Sequence, residues 1–388
     1  MKPNRIMCII PAGIVAGIFM FSSCHSGYSL ASVEGSRIEV TAALDANPDS
    51  AAIAVLAPYQ KTVDSIMSPV IGQSARFMDR FRPESELSNL VADILRYSAS
   101  AYIGRMADVG VTNMGGLRTA LPEGDITYGN IYEITPFENT LCIVTMNGVL
   151  LRELFENIAA VHGEGLSGAC LEISGDGKLL DATVAGKEIE DSKEYKVATL
   201  DYLAEGNDHM TAFAKVGDAD KLLPEKATVR QLFLNYVNEQ TKAGKKIDSK
   251  IEGRITVKDK LNRHETNICI IYCFVCMCAL AAQDIKELLI LHTNDTHSRV
   301  EPIPITDPNP EFAGKAGFVR RVTLIKEIRK QDKDLLLFDC GDFSQGSPFY
   351  NMFGGEVEVK LMNEMGYDAG IIGNHEFDLG LDNMARLF

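Results

Sequence analysis

Gly373-Asn374-His375-Glu376-Phe377-Asp378 decides how the second half of this 388-residue chain is read. It follows Ala369-Gly370-Ile371-Ile372, a short apolar run that reads as a buried strand. Two earlier runs end in matching chemistry. Leu288-Leu289-Ile290-Leu291 leads into His292-Thr293-Asn294-Asp295-Thr296-His297, and Leu335-Leu336-Leu337-Phe338 leads into Asp339-Cys340-Gly341-Asp342. In an open α/β layer, ligands gather at strand ends. Asp295 and His297 are two apart, so on an extended backbone they face the same side, where a carboxylate and an imidazole could share one divalent ion. Asp342, in a tight turn after Gly341, could offer one oxygen to each of two metals, and Asn374 adds a neutral oxygen. Asp378, three residues beyond His375, could orient that imidazole. Two metals about 3.5–4 Å apart are the usual device for activating water and clamping a phosphoryl group.

The ordered set D-x-H, G-D, G-N-H-E, each after a hydrophobic strand, resembles the calcineurin-like metallophosphoesterases, and the flanking residues resemble their 5'-nucleotidase branch. The resemblance implies that Asp295, His297, Asp342 and Asn374 ligate metal, two divalent ions such as zinc or manganese, and that His375 with Asp378 steadies the transition state. Unrelated polar strand-end residues are the bland alternative, and three ordered motifs in under a hundred residues weigh against it. The family completes its metal site with later histidines. None follows His375 here, and His25, His162, His209, His264 and His292 sit in no such motif, so the second metal site is expected to be incomplete in this chain.

Hydrophobic content of 46% and charged content of 23% are those of globular protein, in a chain long enough for two or three domains. A net charge of −15 argues against a nucleic-acid-binding surface, which needs a basic face. It does not exclude a nucleotide substrate, for which a few local arginines and metals suffice. The nine cysteines form no disulfide framework. Cys8 and Cys24 fall in the leader, and Cys269, Cys273, Cys276 and Cys278 fall in one apolar run whose neighbours argue against zinc.

Residues 1–24 read as an export signal: Lys2 and Arg5, then an apolar core from Ile6 to Phe21, too short for a comfortable membrane span. Ser22-Ser23-Cys24 resembles a bacterial lipobox, which implies lipid attachment at Cys24 and a membrane-surface anchor in the periplasm, outer membrane or cell surface. A plain secretory peptide is the alternative. The first domain is expected over residues 50–258. Leu87, Leu90, Val91, Ile94 and Leu95 recur at helical spacing behind Ser85, a plausible N-cap after Pro83. Asp108-Val109-Gly110-Val111-Thr112-Asn113 reads as a strand running into Met114-Gly115-Gly116-Leu117-Arg118, where glycines let the backbone turn and approach a ligand. Phe137 and Tyr202 each are read as following a strand with a polar neighbour, a pair that could sandwich a flat ring; core packing is the commoner fate of such aromatics.

These ordered motifs resemble the substrate-binding, C-terminal domain of 5'-nucleotidases. On that resemblance Phe137 and Tyr202 stack on the nucleobase, Asn113, Gly116, Arg118 and Asn139 contact the nucleoside, and Asp208 binds ribose hydroxyls. Tyr202 stands where the family usually has Phe, and Arg80 and Arg82 flank the expected place of a further arginine, which holds Phe81.

Residues 264–283 are an apolar segment with small residues before Gln283, resembling a second signal peptide in mid-chain. Residues 286–388 read as the opening part of a metallophosphatase domain, with helices at 315–330 and 356–365. The family's usual order is phosphatase first, which suggests two neighbouring reading frames joined into one. The expected fold is α/β (α+β): a 5'-nucleotidase C-terminal-type mixed-sheet domain plus a partial four-layer α/β/β/α metallophosphatase domain with uncovered apolar surface. The implied function is metal-dependent hydrolysis of nucleoside 5'-phosphates outside the cytoplasm. The alternatives are a catalytically incomplete nucleotide-binding lipoprotein working with a separate phosphatase polypeptide, and a phosphoesterase for cyclic nucleotides or nucleotide sugars.

Overall fold

The computed structural model describes residues 30–258, 286–305, 307 and 309–388. The expected leader, its lipidation residue Cys24, the four clustered cysteines and the 264–283 run lie outside the described residues. Residues 30–39 carry no regular secondary structure and stand apart from the unit that the described residues from Val40 onward form.

After a short 3-10 turn at Ala42–Ala46, that unit's first α-helix is α1 (Ser50–Met67), capped by the Asp49 carboxylate on the Ala52 N–H at 2.9 Å. Sequence reading did not isolate this helix, because Pro58 interrupts its middle. Strand β1 (Val70–Ser74) leads to α2 (Glu86–Ser98), which starts where Ser85 and Ser88 form a capping box. Helix α2 buries Leu87, Leu90, Val91, Ile94 and Leu95, the face that the 3.6-residue spacing marked. Strands β2 (Val109–Thr112) and β3 (Gly124–Thr127) precede α3 (Tyr128–Ile134), capped by Thr127. Next come β4 (Leu141–Asn147), α4 (Gly148–Ala160), β5 (Gly165–Ser167), β6 (Ala169–Ser174), β7 (Leu179–Val184), β8 (Lys187–Glu188) and β9 (Glu194–Leu200). The front part ends with α5 (Asp201–Ala204), β10 (Lys221–Leu222), α6 (Val229–Lys242) and β11 (Ile255–Lys258).

Its main sheet has the order β10-β4-β9-β2-β5 and is mixed: β2 and β9 run parallel, the other pairs antiparallel. Every residue of β2 is buried, as a central strand covered on both faces requires. A second mixed sheet, β11-β6-β7-β8, is joined to it by one hydrophobic core.

The back part is built on a parallel sheet, β12 (Ile290–Thr293), β13 (Leu336–Asp339) and β14 (Ala369–Gly370). Helices α7 (Phe318–Gln331), α8 (Pro348–Phe353), α9 (Glu356–Met365) and α10 (Gly380–Leu387) accompany it. Ala52, Val63 and Met67 of α1 join Val300, Phe318, Val322, Ile325, Leu337, Phe349, Val357, Leu361 and Met365 in a second core. Tyr59 of α1 donates to Glu356 at 2.7 Å, and Lys326 meets Asp49 at 3.0 Å. A helix early in the chain thus closes the core of the last hundred residues.

The run at 369–372 departs from its reading as a buried strand. Strand β14 is two residues long, and Ile371 and Ile372 are 63% and 43% exposed. It pairs with β13 on one side only. Leu288 and Ile290, before and within the opposite edge strand, are also exposed, so apolar surface of this sheet is uncovered.

Candidate active site

Asp295 and His297 do not sit on extended backbone. Their φ angles are 49° and 42°, left-handed values that are strained for residues with side chains and that cluster at functional turns. They converge because their turn is laced to the turn after β13: Asp295 N–H donates to Gly341 O at 3.0 Å, His297 N–H to Asp342 O at 3.0 Å, and Ser298 N–H to Phe343 O at 2.8 Å. One ligand atom each of Asp295, His297 and Asp342 lies within 4.8 Å of the others. This donor set suits a divalent cation, and His297 Nδ1 is buried without a hydrogen-bond partner.

The third loop is held against the second by Glu376. This buried carboxylate accepts from the N–H groups of Asp342 (3.0 Å), Ser344 (3.0 Å) and Gly373 (2.6 Å). It ties the loop bearing Asp342 to the one bearing Asn374, a role that sequence reading missed although Glu376 stands inside the motif. A Cβ on Gly373 would overlap the Asp342 carboxylate, which is why this position admits only glycine. His375 N–H also donates to Asp342 Oδ1 at 3.1 Å.

His375 Nδ1 and Asp378 Oδ2 are 2.9 Å apart, and Gln345, another residue not singled out from sequence, donates to the same oxygen at 3.1 Å. Burial pulls the His375 pKa down, but the Asp378 hydrogen bond and charge, with Asp342 and Glu376, outweigh it and hold the imidazole above its ordinary value. His297 moves the other way: burial, then Arg118 and His375, lower it against the pull of Asp342 and Asp295. The lowering favours the neutral imidazole, the form that ligates metal. Burial, Arg80 and Arg299 all depress Arg118, with Asp295 opposing.

The front part supplies the facing wall. Tyr202, on α5 after β9, donates its hydroxyl to Asp208 Oδ1 at 3.0 Å, and Asn113 Nδ2 donates to Asp208 Oδ2 at 2.5 Å. Gly116 is needed for space: a Cβ there would come 2.7 Å from Asn113 Oδ1, itself buried without a partner. Phe137 follows helix α3, not a strand, and lies in the irregular connection to β4. Its ring stacks on His375 at 5.5 Å with 23° between planes, and Arg118 stands 5.8 Å from its centroid. Of the two arginines near Phe81, Arg82 is committed to Gly163 O and the Glu164 carboxylate, whereas Arg80 remains within electrostatic reach of Arg118.

A single cavity of about 710 Å³ joins the two walls. From the front part Asn113, Gly116, Arg118, Phe137, Asn139, Tyr202 and Asp208 line it; from the back part His297, Asp342, Asn374, His375 and Asp378 do. Asp295 is not part of the lining and enters through the metal-ligand group. Glu138, Gln345 and Asn351 also line it, and none was marked from sequence.

Residues 70–215 match the family model of the 5'-nucleotidase C-terminal domain, and residues 288–387 match that of the calcineurin-like phosphoesterases. A snake venom 5'-nucleotidase of Crotalus adamanteus is 46% identical over 98 residues, which is 24% of this chain and 16% of that protein. A trifunctional nucleotide phosphoesterase of Bacillus subtilis is 23% identical over 346 residues, 70% of this chain and 22% of that protein. The chain thus spans less than a quarter of the length of these relatives. A 5'-nucleotidase precursor from Thermus thermophilus superposes with a TM-score of 0.46 at 24% identity, covering 52% of this chain and 42% of that one.

Proposed function

From a chain that carries a 5'-nucleotidase C-terminal domain followed by a calcineurin-like phosphoesterase domain, we propose a metal-dependent phosphoesterase that releases phosphate from nucleoside 5'-phosphates. The observation that carries this reading is the shared cavity, lined by aromatic and amide groups of the front part and by carboxylate, amide and imidazole groups of the back part. Asp295, His297, Asp342 and Asn374 would hold divalent ions, which supply charge stabilisation and water activation when bound. Phe137 and Tyr202 would take the base and Asp208 the ribose hydroxyls. Arg118 adds positive charge beside Phe137. His375, kept above its ordinary pKa by Asp378, would place a proton and a positive charge beside the phosphoryl oxygens. Gln345 and Asp378 keep that ring from turning.

The test is direct. Protein supplied with Mn²⁺ or Zn²⁺ should release phosphate from AMP or UMP, and His375→Ala should abolish the release. Calorimetric binding without phosphate release would instead favour a nucleotide-binding module that works with a separate phosphatase. One observation favours that second reading: among the described residues, a single group of three carboxylate and imidazole ligands comes together, fewer than two metal ions need. Export and a lipid anchor at Cys24 belong to the same proposal. Cys24→Ser should then move the protein from the membrane fraction to the soluble exported fraction.

A further inference from the structure

Arg230, the second residue of α6, is only 5% exposed. A buried guanidinium is costly unless its donors are satisfied, and a cation in the first turn opposes the helix dipole. Its partners explain its presence. Nη1 donates to Thr135 O at 3.3 Å and to Pro136 O at 3.1 Å, and Nη2 meets the Glu138 carboxylate. Its guanidinium carbon lies 4.1 Å from the Tyr132 ring centroid. The three acceptors sit immediately before and after Phe137, in a stretch with no regular secondary structure to hold it. The same stretch is tied at its end by Val229 N–H on Asn139 O at 2.9 Å. From the back part, Asn351 donates to Pro136 O at 3.2 Å.

We propose that Arg230 is a positioning residue for base recognition: its planar fork grips the loop on both sides of Phe137 and holds that ring in the cavity wall. The inference rests on the reading of Phe137 as the ring that stacks on the base. Arg230 reaches no reacting group and acts through the loop alone. Lysine at this position keeps the charge but lacks the fork, so it cannot satisfy all three acceptors at once.

The experiment compares the wild type, Arg230→Lys, Glu138→Gln and Phe137→Ala, all loaded with Mn²⁺. Two substrates are used: AMP, and ribose 5-phosphate, which has the same phosphoester but no base. Arg230→Lys should raise KM for AMP about tenfold, the low end of a lost stack, with kcat within about threefold and KM for ribose 5-phosphate unchanged. Glu138→Gln, which changes only the exposed partner, should shift KM for AMP in the same direction by less, and it guards against a fold defect in the arginine variant. Backbone amide exchange over residues 135–140 should speed up in Arg230→Lys. If the protein binds without turnover, the same ratios are read as dissociation constants by calorimetry. Equal losses on both substrates, or an unchanged KM for AMP in Arg230→Lys while Phe137→Ala raises it, would overturn the role of Arg230 and leave the base slot standing. No effect of Phe137→Ala would remove the base slot itself, and the inference with it.

Discussion

At the scale of single residues, the departure of Tyr202 from the family's Phe has a structural consequence. Its hydroxyl occupies one oxygen of Asp208 while Asn113 occupies the other, so the carboxylate is fixed in one orientation at the cavity wall. Each oxygen keeps a lone pair that could accept a further donor, which the proposed function assigns to a sugar hydroxyl. Tyr202 is 39% exposed, so Tyr202→Phe should fold normally. It should weaken AMP binding by about 0.5–1.5 kcal/mol, the net worth of one hydrogen bond, and narrow the preference for AMP over deoxy-AMP. Equal affinity of the two proteins for both nucleotides would show that the hydroxyl has no part in sugar recognition. The identities of these groups were legible in the sequence, because motif spacing carries residue type. Their hydrogen bonds were not: Asn113 and Asp208 are 95 positions apart, and nothing local records that they meet.

At the scale of elements, the site is three loops, each leaving the end of a parallel strand, with one buried carboxylate stitching two of them. Glu376→Gln would replace an acceptor by an amide whose NH₂ faces backbone N–H groups. Mn²⁺ affinity, measured by calorimetry, should fall about 10–100-fold, as for other groups that orient metal ligands. An unchanged affinity would mean the loops hold themselves. A second buried acid sits behind the first loop. Glu358 on α9 shares a hydrogen bond with Ser298, its Oε2 has no partner, and burial raises its pKa to about 7. Tyr350, raised first by burial, is a titratable group that feels its charge. Because the folded pKa exceeds the ordinary value of 4.5, the folded state binds the proton more tightly. Its contribution to stability is full below about pH 4.5, declines as the pH rises toward 7, and is gone above. Glu358→Gln should therefore raise stability at pH 8 by about 1–3 kcal/mol and flatten the denaturant midpoint between pH 5 and 7. A parallel pH dependence in both proteins would place the titration elsewhere.

At the scale of the molecule, the second core draws α1 from the start of the unit and α7, α8 and α9 from its end. The Pro136 carbonyl and the Phe137–His375 stack link the parts again at the cavity. Residues 40–388 should therefore unfold in one calorimetric transition, and Val63→Ala with Met67→Ala should lower its midpoint by loss of about 3–6 kcal/mol of packing. Two separated transitions, only one of them sensitive to those changes, would show that the parts stand alone.

What the chain's letters determined by themselves was local: which residues cap and face helix α2, that the runs before Asn113, Asp295 and Asp342 make strands, and which chemical groups recur in family order. Those features depend on spacings of two to four residues, and a sequence displays them directly. Only the folded molecule decided that Asp295 and His297 meet through left-handed turns, that β14 is a short exposed edge, that α1 completes a core some 250 residues away, and that two distant walls enclose one cavity. Each of these is a long-range contact, set by packing and backbone hydrogen bonds between segments whose separation along the chain carries no record of their closeness in space.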